Sequence, residues 1–506
     1  MKIKRSTTLI YGRGTDADTL DPLNSSIGET VKVLVNIYDT LVAYDDETLE
    51  IVPSLAEDWV ASKNQLEWTF QLRKDVKFHD GTDCNADAIV FNFQRLIQED
   101  HEHLYDAERP YRPHFTVIKS VEATGPLTVK FVLAQPNAVF INNLAMFAAS
   151  IVSPTALKKH GADFGNHPSG TGPFELQTWE RDQRLILKRF AGYWRKGSKL
   201  DRLIFKPVRE NAVRAQQLDR SEIHITDNLP PAEVDVLAQK DGIQIQHQMG
   251  LNVGYLAIHT QKPPLNHAKV RAAIWHAIDK KRLIDVAFSG HGKPAVNLVP
   301  ATMWGHNDQL KDRQYDPTRA KQLLDQAIQE HKLKTPLTLE LYFMKQARPY
   351  MQQPRQIAIY IGDALSEIGI KTNLVPHDAR QHFQRLSAGD HHLGLAGWSS
   401  DNADPDNFLF SLLDKTNIND KGGNNLCRYD NEEVHQMLVA AQQELDKEKR
   451  KKLYFDIQKK VYDDIPAIPL VHTEVRIAHR DIVKGYKLHP SAMVRLRHAY
   501  MGSGSK

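Results

Sequence analysis

The residues best equipped for chemistry gather in one stretch, Gly397-Trp398-Ser399-Ser400-Asp401-Asn402-Ala403-Asp404-Pro405-Asp406-Asn407-Phe408. Asp401, Asn402, Asp404 and Asp406 bring oxygen donors close together along the chain. Asp-rich loops containing proline build turns and helix caps, and that is the reading for Asp404 and Asp406. Close-spaced oxygens can also hold calcium, but the Gly and distal Glu of an EF-hand loop are missing, so no metal site is expected. A fixed carboxylate can equally meet the cationic end of a ligand. Trp398, upstream, supplies either apolar wall to a pocket or a core tryptophan. A basic residue of interest is Arg348 in Gln346-Ala347-Arg348-Pro349-Tyr350. Its default is a surface arginine before a proline, yet a guanidinium is also the natural bidentate partner of a carboxylate.

Catalytic signatures are absent. Gly170-Thr171-Gly172 lacks the Gly-Lys-Ser/Thr of a phosphate loop. There is no nucleophile elbow and no recognisable Ser/His/Asp set. The 23 histidines are scattered, and neither His101-Glu102-His103 nor His391-His392 has the i, i+4 spacing of a zinc protease. Cys84 and Cys427 could form one disulfide, whose geometry sequence separation cannot test; two unpaired thiols are the preferred reading, and with no local His partner neither reads as a catalytic nucleophile. The reading is therefore a non-enzyme without cofactors.

Composition narrows the class. The 506 residues exceed one ordinary core, so two or three domains are expected. Hydrophobic residues are 41% and charged residues 25%, as in soluble globular proteins. Sixty-five basic residues nearly cancel 62 acidic ones, leaving +3. That balance speaks against a nucleic-acid or membrane-surface partner. No stretch approaches the roughly 20 apolar residues of a membrane span. The start, Met1-Lys2-Ile3-Lys4-Arg5, lacks the apolar segment of a signal peptide, so the expectation is a cytoplasmic protein or one whose leader has been removed. The terminal Met-Gly-Ser-Gly-Ser-Lys, 501–506, reads as an artificial tail.

The elements that must position these residues are both helices and strands. Strand-like alternation occurs at Thr8–Tyr11, Leu66–Leu72, Leu127–Leu133, Leu185–Phe190, Leu203–Val208 and Gly254–Ile258. Helical spacing occurs at Thr30–Leu41, Phe140–Phe147, Val270–Ile278, Thr318–Ile328, Arg355–Ile368 and Lys449–Tyr462. Asn85 is placed to cap a helix carrying Ile89, Val90, Phe93 and Leu96 on one face. Pro53–Glu57 reads as a turn into a short helix, and Gly170–Phe174 as a sharp break. Interleaved strands and helices give an α/β or α+β protein.

Many segments in fixed order carry a resemblance. They are LAEDW at 55–59, WTFQLRKDVKFHDG at 68–81, NADAIVFNFQR at 85–95, SGTGPFEL at 169–176 and GLNVGYLAIHTQKPPLNHAKVRAAI at 250–274. LVPATMWGHND at 298–308, QARPY at 346–350, GWSSDNADPDNF at 397–408 and DIPAIPLVH at 464–472 complete the set. From Thr8 to Arg497 the chain resembles the family 5 extracellular solute-binding proteins of ABC importers, and among them the dipeptide-binding proteins. The resemblance implies an α/β, three-lobed clamshell of the periplasmic-binding-protein type, with mixed sheets flanked by helices and the ligand cleft between lobes. Lobe I would comprise 1–30, 170–250 and 475–500, lobe II 31–169, and lobe III 251–474. It further implies a monomer, periplasmic or cell-surface, that delivers short peptides to membrane permease subunits. Rival ligands are longer peptides, nickel chelates, haem and opines; a peptidase is the rival class.

A free peptide is a zwitterion, and enclosing it strips water from both termini at a cost of several kcal/mol per ion unless each meets a partner. The resemblance assigns Asp401 to the ligand ammonium and Arg348 to its carboxylate. The two would act as a ruler, since a dipeptide's termini lie roughly 5–7 Å apart. Tyr350 and Trp398 would line the pocket, and Asn252 would either meet the ligand or order the crossing between lobes, with the second preferred. One departure stands out. Dipeptide-binding relatives carry a disulfide loop after this acidic stretch, whereas here Cys427 matches the second cysteine and Leu412 stands at the first. The crosslink is expected to be absent and the loop 413–426 correspondingly freer.

Overall fold

The computed structural model describes residues 7–105, 107–420 and 422–502. It divides into two compact units, Met1–Gln248 with Arg476–Lys506, and Met249–Val475. Among the described residues, no helix is long and apolar enough to cross a membrane.

The first unit is built on a seven-stranded mixed sheet in the order Ile243–Met249, Glu474–Arg480, Ile225–Asp227, Thr8–Arg13, Arg202–Pro207, Arg184–Arg189, Phe174–Glu180. A separate four-stranded antiparallel sheet runs Ala56–Ala61, Glu67–Leu72, Thr128–Leu133, Ile118–Gly125. The helix Ala86–Ile97 covers it, and Asn85 caps that helix by accepting the Ala88 N–H at 3.0 Å. Its apolar face buries Ile89, Phe93 and Leu96. Phe93 meets Phe131 edge-on with centroids 4.8 Å apart, the favoured geometry for paired aromatic quadrupoles.

Four local expectations are corrected. Pro53–Glu57 does not lead into a helix; Ala56–Ala61 is a strand whose Trp59 and Val60 pair with Phe70 and Thr69. Five residues offer too little helix to compete with the ladder supplied by the next strand, Glu67–Leu72. In Phe140–Phe147 only Phe140–Asn143 is α-helical, followed by a 3₁₀ turn at Phe147–Ala149. Residues from Leu144 to Ala149 are buried throughout, so their apolar character reflects burial on all sides rather than one helical face. The first helix spans Gly28–Ile37 and stops before Leu41. There the break at Gly170–Gly172 lies against the helix end: Gly172 N–H donates to Ile37 O at 2.9 Å, and a Cβ on Gly170 would fall 2.3 Å from that oxygen. Only glycine permits that approach. Met501, read as tail, pairs with Val483.

The second unit centres on a six-stranded sheet in the order Lys293–Pro294, Ala467–His472, Asn252–Ile258, Leu393–Ser399, Leu337–Met344, Ile370–His377. The middle strand Asn252–Ile258 is buried at every residue, as expected of a strand covered on both faces. Leu337–Met344 and Ile370–His377 run parallel, joined by the helix Pro354–Glu367, because parallel strands need a crossover of that length. Helices Ala268–Ala277, Lys280–Phe288 and Pro317–His331 contribute to the same core through Ile274, Leu283, Phe288 and Leu324. Asp279 and Asp316 cap the second and third of these.

Candidate functional site

All five residues singled out in the sequence belong to the second unit, and the sheet explains how they gather. Asn252–Ile258 and Leu393–Ser399 run antiparallel with Asn252 opposite Ser399, Val253 opposite Trp398 and Gly254 opposite Gly397. The paired glycines leave a notch. A Cβ on Gly254 would lie 2.4 Å from Tyr350 O, and one on Gly397 2.1 Å from Tyr350 Cδ2. The Tyr350 turn fills that notch, closed by reciprocal backbone hydrogen bonds between Arg348 and Met351 at 3.0 and 2.9 Å. Met351 is fully buried and anchors the turn in the core, while Arg348 is exposed beside it. Its guanidinium makes no ion pair among the described residues. Burial raises the Tyr350 phenol above its ordinary pKa, and the Arg348 charge opposes that rise.

Thr473 ties the turn to the strand end. Its hydroxyl lies 2.9 Å from Asn252 Oδ1 and 3.0 Å from Pro349 O, and its backbone N–H donates to Asn252 Oδ1 at 3.0 Å. Asn252 Nδ2 returns a bond to Thr473 O. The buried Asn252 amide is thus occupied in ordering the chain.

Alternation along a strand sends successive side chains to opposite faces, so Trp398 points away from the face on which Tyr350 covers Gly397. The half-buried Trp398 indole N–H donates to Asn407 Oδ1 at 2.8 Å, and the Asp401 N–H donates to the same oxygen at 3.0 Å. Short-range turn bonds shape the rest of the loop. Ser400 Oγ accepts the Ala403 N–H, Asn402 Oδ1 that of Asp404, and Asp404 Oδ1 that of Asp406.

The three acids have different environments. Asp404 is buried and accepts from Arg450 Nη1 and Nη2, both at 2.7 Å, with Tyr454 OH at 3.2 Å. Its capping of Asp406 is only part of its role, since it forms one half of a buried bidentate ion pair. Asp406 opens the helix Asp406–Leu413; burial, with the charge of Asp404 adding, pushes its carboxyl up to about 7. Asp401 is half-buried, the most accessible of the three.

Sequence reasoning missed Asn407, Thr473 and Arg450. Arg450 stands in Lys447-Glu448-Lys449-Arg450-Lys451-Lys452, which reads as a solvated face. The usable signal was helical: Arg450, Tyr454, Ile457 and Gln458 recur at i, i+4, i+7, i+8 and are the buried set.

The loop after the acidic stretch departs from expectation. Cys427 is buried and unpaired, its thiol pushed up to about 12 by burial. Yet the segment is tied without a disulfide. Asn425 Nδ2 lies 3.1, 3.1 and 2.9 Å from Leu413 O, Asp414 O and Tyr429 O. Asn417 Nδ2 adds a bond to Phe410 O at 2.8 Å. Polar closure of the loop replaces the covalent one.

Residues 50–420 match the model for bacterial extracellular solute-binding proteins, family 5, middle region. The chain belongs to this family. Among its family 5 relatives, a dipeptide-binding protein of Escherichia coli is 33% identical, covering 96% of this chain and 93% of the relative. Heme-binding protein A of Haemophilus influenzae is 34% identical over 90% of this chain and 85% of the relative. Among solved structures, the ABC transporter-associated periplasmic binding protein DppA of Helicobacter pylori, in complex with the peptide STSA, superposes with a TM-score of 0.88 at 30% identity, over 98% of each chain. A dipeptide-binding protein of Pseudoalteromonas in complex with Met-Leu gives 0.86 at 28% identity, over 98% of this chain and 100% of that one. This family 5 chain thus has the mixed α/β fold of the periplasmic binding proteins, and its relatives bind solutes rather than catalyse reactions.

Proposed function

We propose that this family 5 protein captures short peptides, dipeptides among them, and delivers them to ABC permease subunits from the periplasm or cell surface, without catalysis. Asp401 would receive the peptide ammonium and Arg348 its carboxylate. Trp398 and Tyr350 would border the pocket from opposite faces of the strand end, and Asn252 would hold the chain in place. A three-lobed arrangement would enclose the ligand. The observation that carries the reading is the state of the charges in the second unit. Asp404 is consumed by Arg450 and Asp406 sits near its titration point at neutral pH, while the guanidinium of Arg348 has no ion pair among the described residues. Likeness over nearly the whole chain to dipeptide-binding proteins supports the same ligand class.

Calorimetry with a free dipeptide and with its N-acetylated, C-amidated form tests this reading. The free dipeptide should bind and the blocked one should not, because blocking strands both protein charges. Equal affinity for the two would sink it and would turn attention to haem, given the haem-binding relative. Incubation with the dipeptide should release no free amino acids.

A further inference from the structure

A cavity of about 240 Å³ opens within the first unit, lined in part by Asp39, Asp46, Tyr193, Arg195, Arg495 and Arg497. A neighbouring hollow shares Arg195 and is bordered by Arg73, Lys74, Trp194 and Glu57. The acids of the cavity are engaged. Asp39 Oδ2 accepts from Thr171 Oγ1 and Trp194 Nε1, both at 2.9 Å. Asp45 caps its own turn by accepting the N–H groups of Glu47 and Thr48. Asp46 pairs with Arg495 at 2.6 Å.

The remaining bases make no direct ion pair among the described residues, although Asp39 acts on Arg195 through space. Arg195 donates to Pro53 O at 2.8 Å, and Arg73 Nε to Ser54 O at 2.7 Å. Arg497 donates to the Tyr193 hydroxyl at 3.2 Å and meets the neighbouring His498 ring. None of the three forms an ion pair with a carboxylate among the described residues, and neither does Glu57. The guanidiniums of Arg73 and Arg195 both lie over the Trp194 ring, 5.2 and 4.2 Å from its centroid. Burial lowers the pKa of Arg195; Tyr193 and Asp39 oppose this, and Arg497 and Arg73 add to it.

Several cations around one concave space repel one another, and partial burial weakens the water that would screen them. A planar guanidinium offers paired N–H donors matched to a phosphate or carboxylate. The cavity lies at the small end of ligand pockets, too small for a polymer. We propose that it binds a small oxyanion, a phosphate ester or a carboxylate, between Arg195 and Arg497 with the buried Tyr193 hydroxyl as a further donor. All these residues lie in the first unit, and none is among those assigned to the peptide.

Calorimetric titration of the full chain with inorganic phosphate, and separately with malonate, at ionic strength held constant with potassium chloride, tests the site. Saturable one-to-one binding is expected for at least one anion, and the preferred one identifies the class. Arg195→Gln and Arg497→Gln should each weaken it about tenfold or more, while Arg209→Gln, at an exposed ion pair with Asp182, should leave it unchanged. A second measurement guards against misfolding. Without anion, Arg195→Gln should melt no lower than the parent, because it relieves repulsion. Added phosphate or malonate should raise the parent's midpoint but not the variant's. Three results would overturn the proposal: no saturable binding of either anion, variants that bind like the parent, or a midpoint shift reproduced by chloride alone.

Discussion

Asn407 fixes the backbone of Asp401: its side-chain oxygen accepts the Asp401 N–H at 3.0 Å. The same oxygen takes the Trp398 indole N–H at 2.8 Å, so one amide sets two of the residues assigned to the ligand. Asn407→Ala should therefore lower dipeptide affinity by about tenfold or more without touching the peptide, since losing a buried acceptor strands two donors at about 1–3 kcal/mol each. In a double-mutant cycle with Asp401→Asn the losses should be clearly less than additive, because Asn407 acts through Asp401. Full additivity would assign Asn407 to general stability instead.

Asp401→Asn changes charge with little change in shape. Removing one partner of a desolvated pair typically costs about 2–5 kcal/mol, so affinity for a free dipeptide should fall roughly 30-fold or more. Arg348→Gln should do the same by stranding the peptide carboxylate. Calorimetry with parent-like affinity in both variants would remove the charge-clamp reading.

Gly397→Ala should damage binding through Tyr350. The added methyl would lie 2.1 Å from the Tyr350 ring, forcing that turn, and Arg348 with it, out of position. Dipeptide affinity should drop, and stability should fall by about 1–3 kcal/mol, the usual cost of overpacking. Tyr350→Ala in the same chain makes room and should restore most of the stability, a result readable from denaturant melts.

Asp404 and Arg450 form a bidentate pair with side chains 2% and 5% exposed. Arg450→Met should destabilise the second unit by about 3–5 kcal/mol, because it leaves a buried carboxylate without its charge partner. Adding Asp404→Leu should recover a large part of that loss. Urea unfolding of the single and double variants checks both directions.

Asp406 links stability to pH. Its folded pKa of about 7 lies above the ordinary 3.8, so the folded state holds a proton that the unfolded chain releases. Its contribution is fully present below pH 3.8 and is lost as pH rises through about 7. Asp406→Asn should consequently gain on the parent as pH is raised from 4 to 8, with the difference levelling off above the folded pKa. Thermal midpoints across that range would show parallel curves if Asp406 were ionised throughout in the folded protein.

Long periodic elements were legible in the sequence because their patterns are local. Asn85 announced its cap, Leu66–Leu72 its alternation, and Arg355–Ile368 its helical face, and each appears within a few residues of its expected bounds. Short pieces were not, because Pro53–Glu57 owes its shape to pairing with the following strand and Phe140–Phe147 to burial on all sides. The proposed ligand partners Asp401 and Arg348 stood out through the resemblance of whole segments, not through anything their own spacing dictates.

The sequence by itself determined the mixed α/β class, the near-neutral charge balance that speaks against a nucleic-acid role, and the solute-binding family, since these depend on composition, periodicity and motif order. Tertiary structure decided what those data could not: that Asn252 is spent on Thr473, that Asp404 is paired with Arg450 and Asp406 driven toward neutrality, that Asn425 closes the loop Cys427 leaves uncrosslinked, and that Arg195 and Arg497 share a cavity. A side chain's charge state and vacancy are set by what lies within a few ångströms in space. Partners 46 residues apart, as Asp404 and Arg450 are, or 221 apart, as Asn252 and Thr473 are, leave no trace in local pattern.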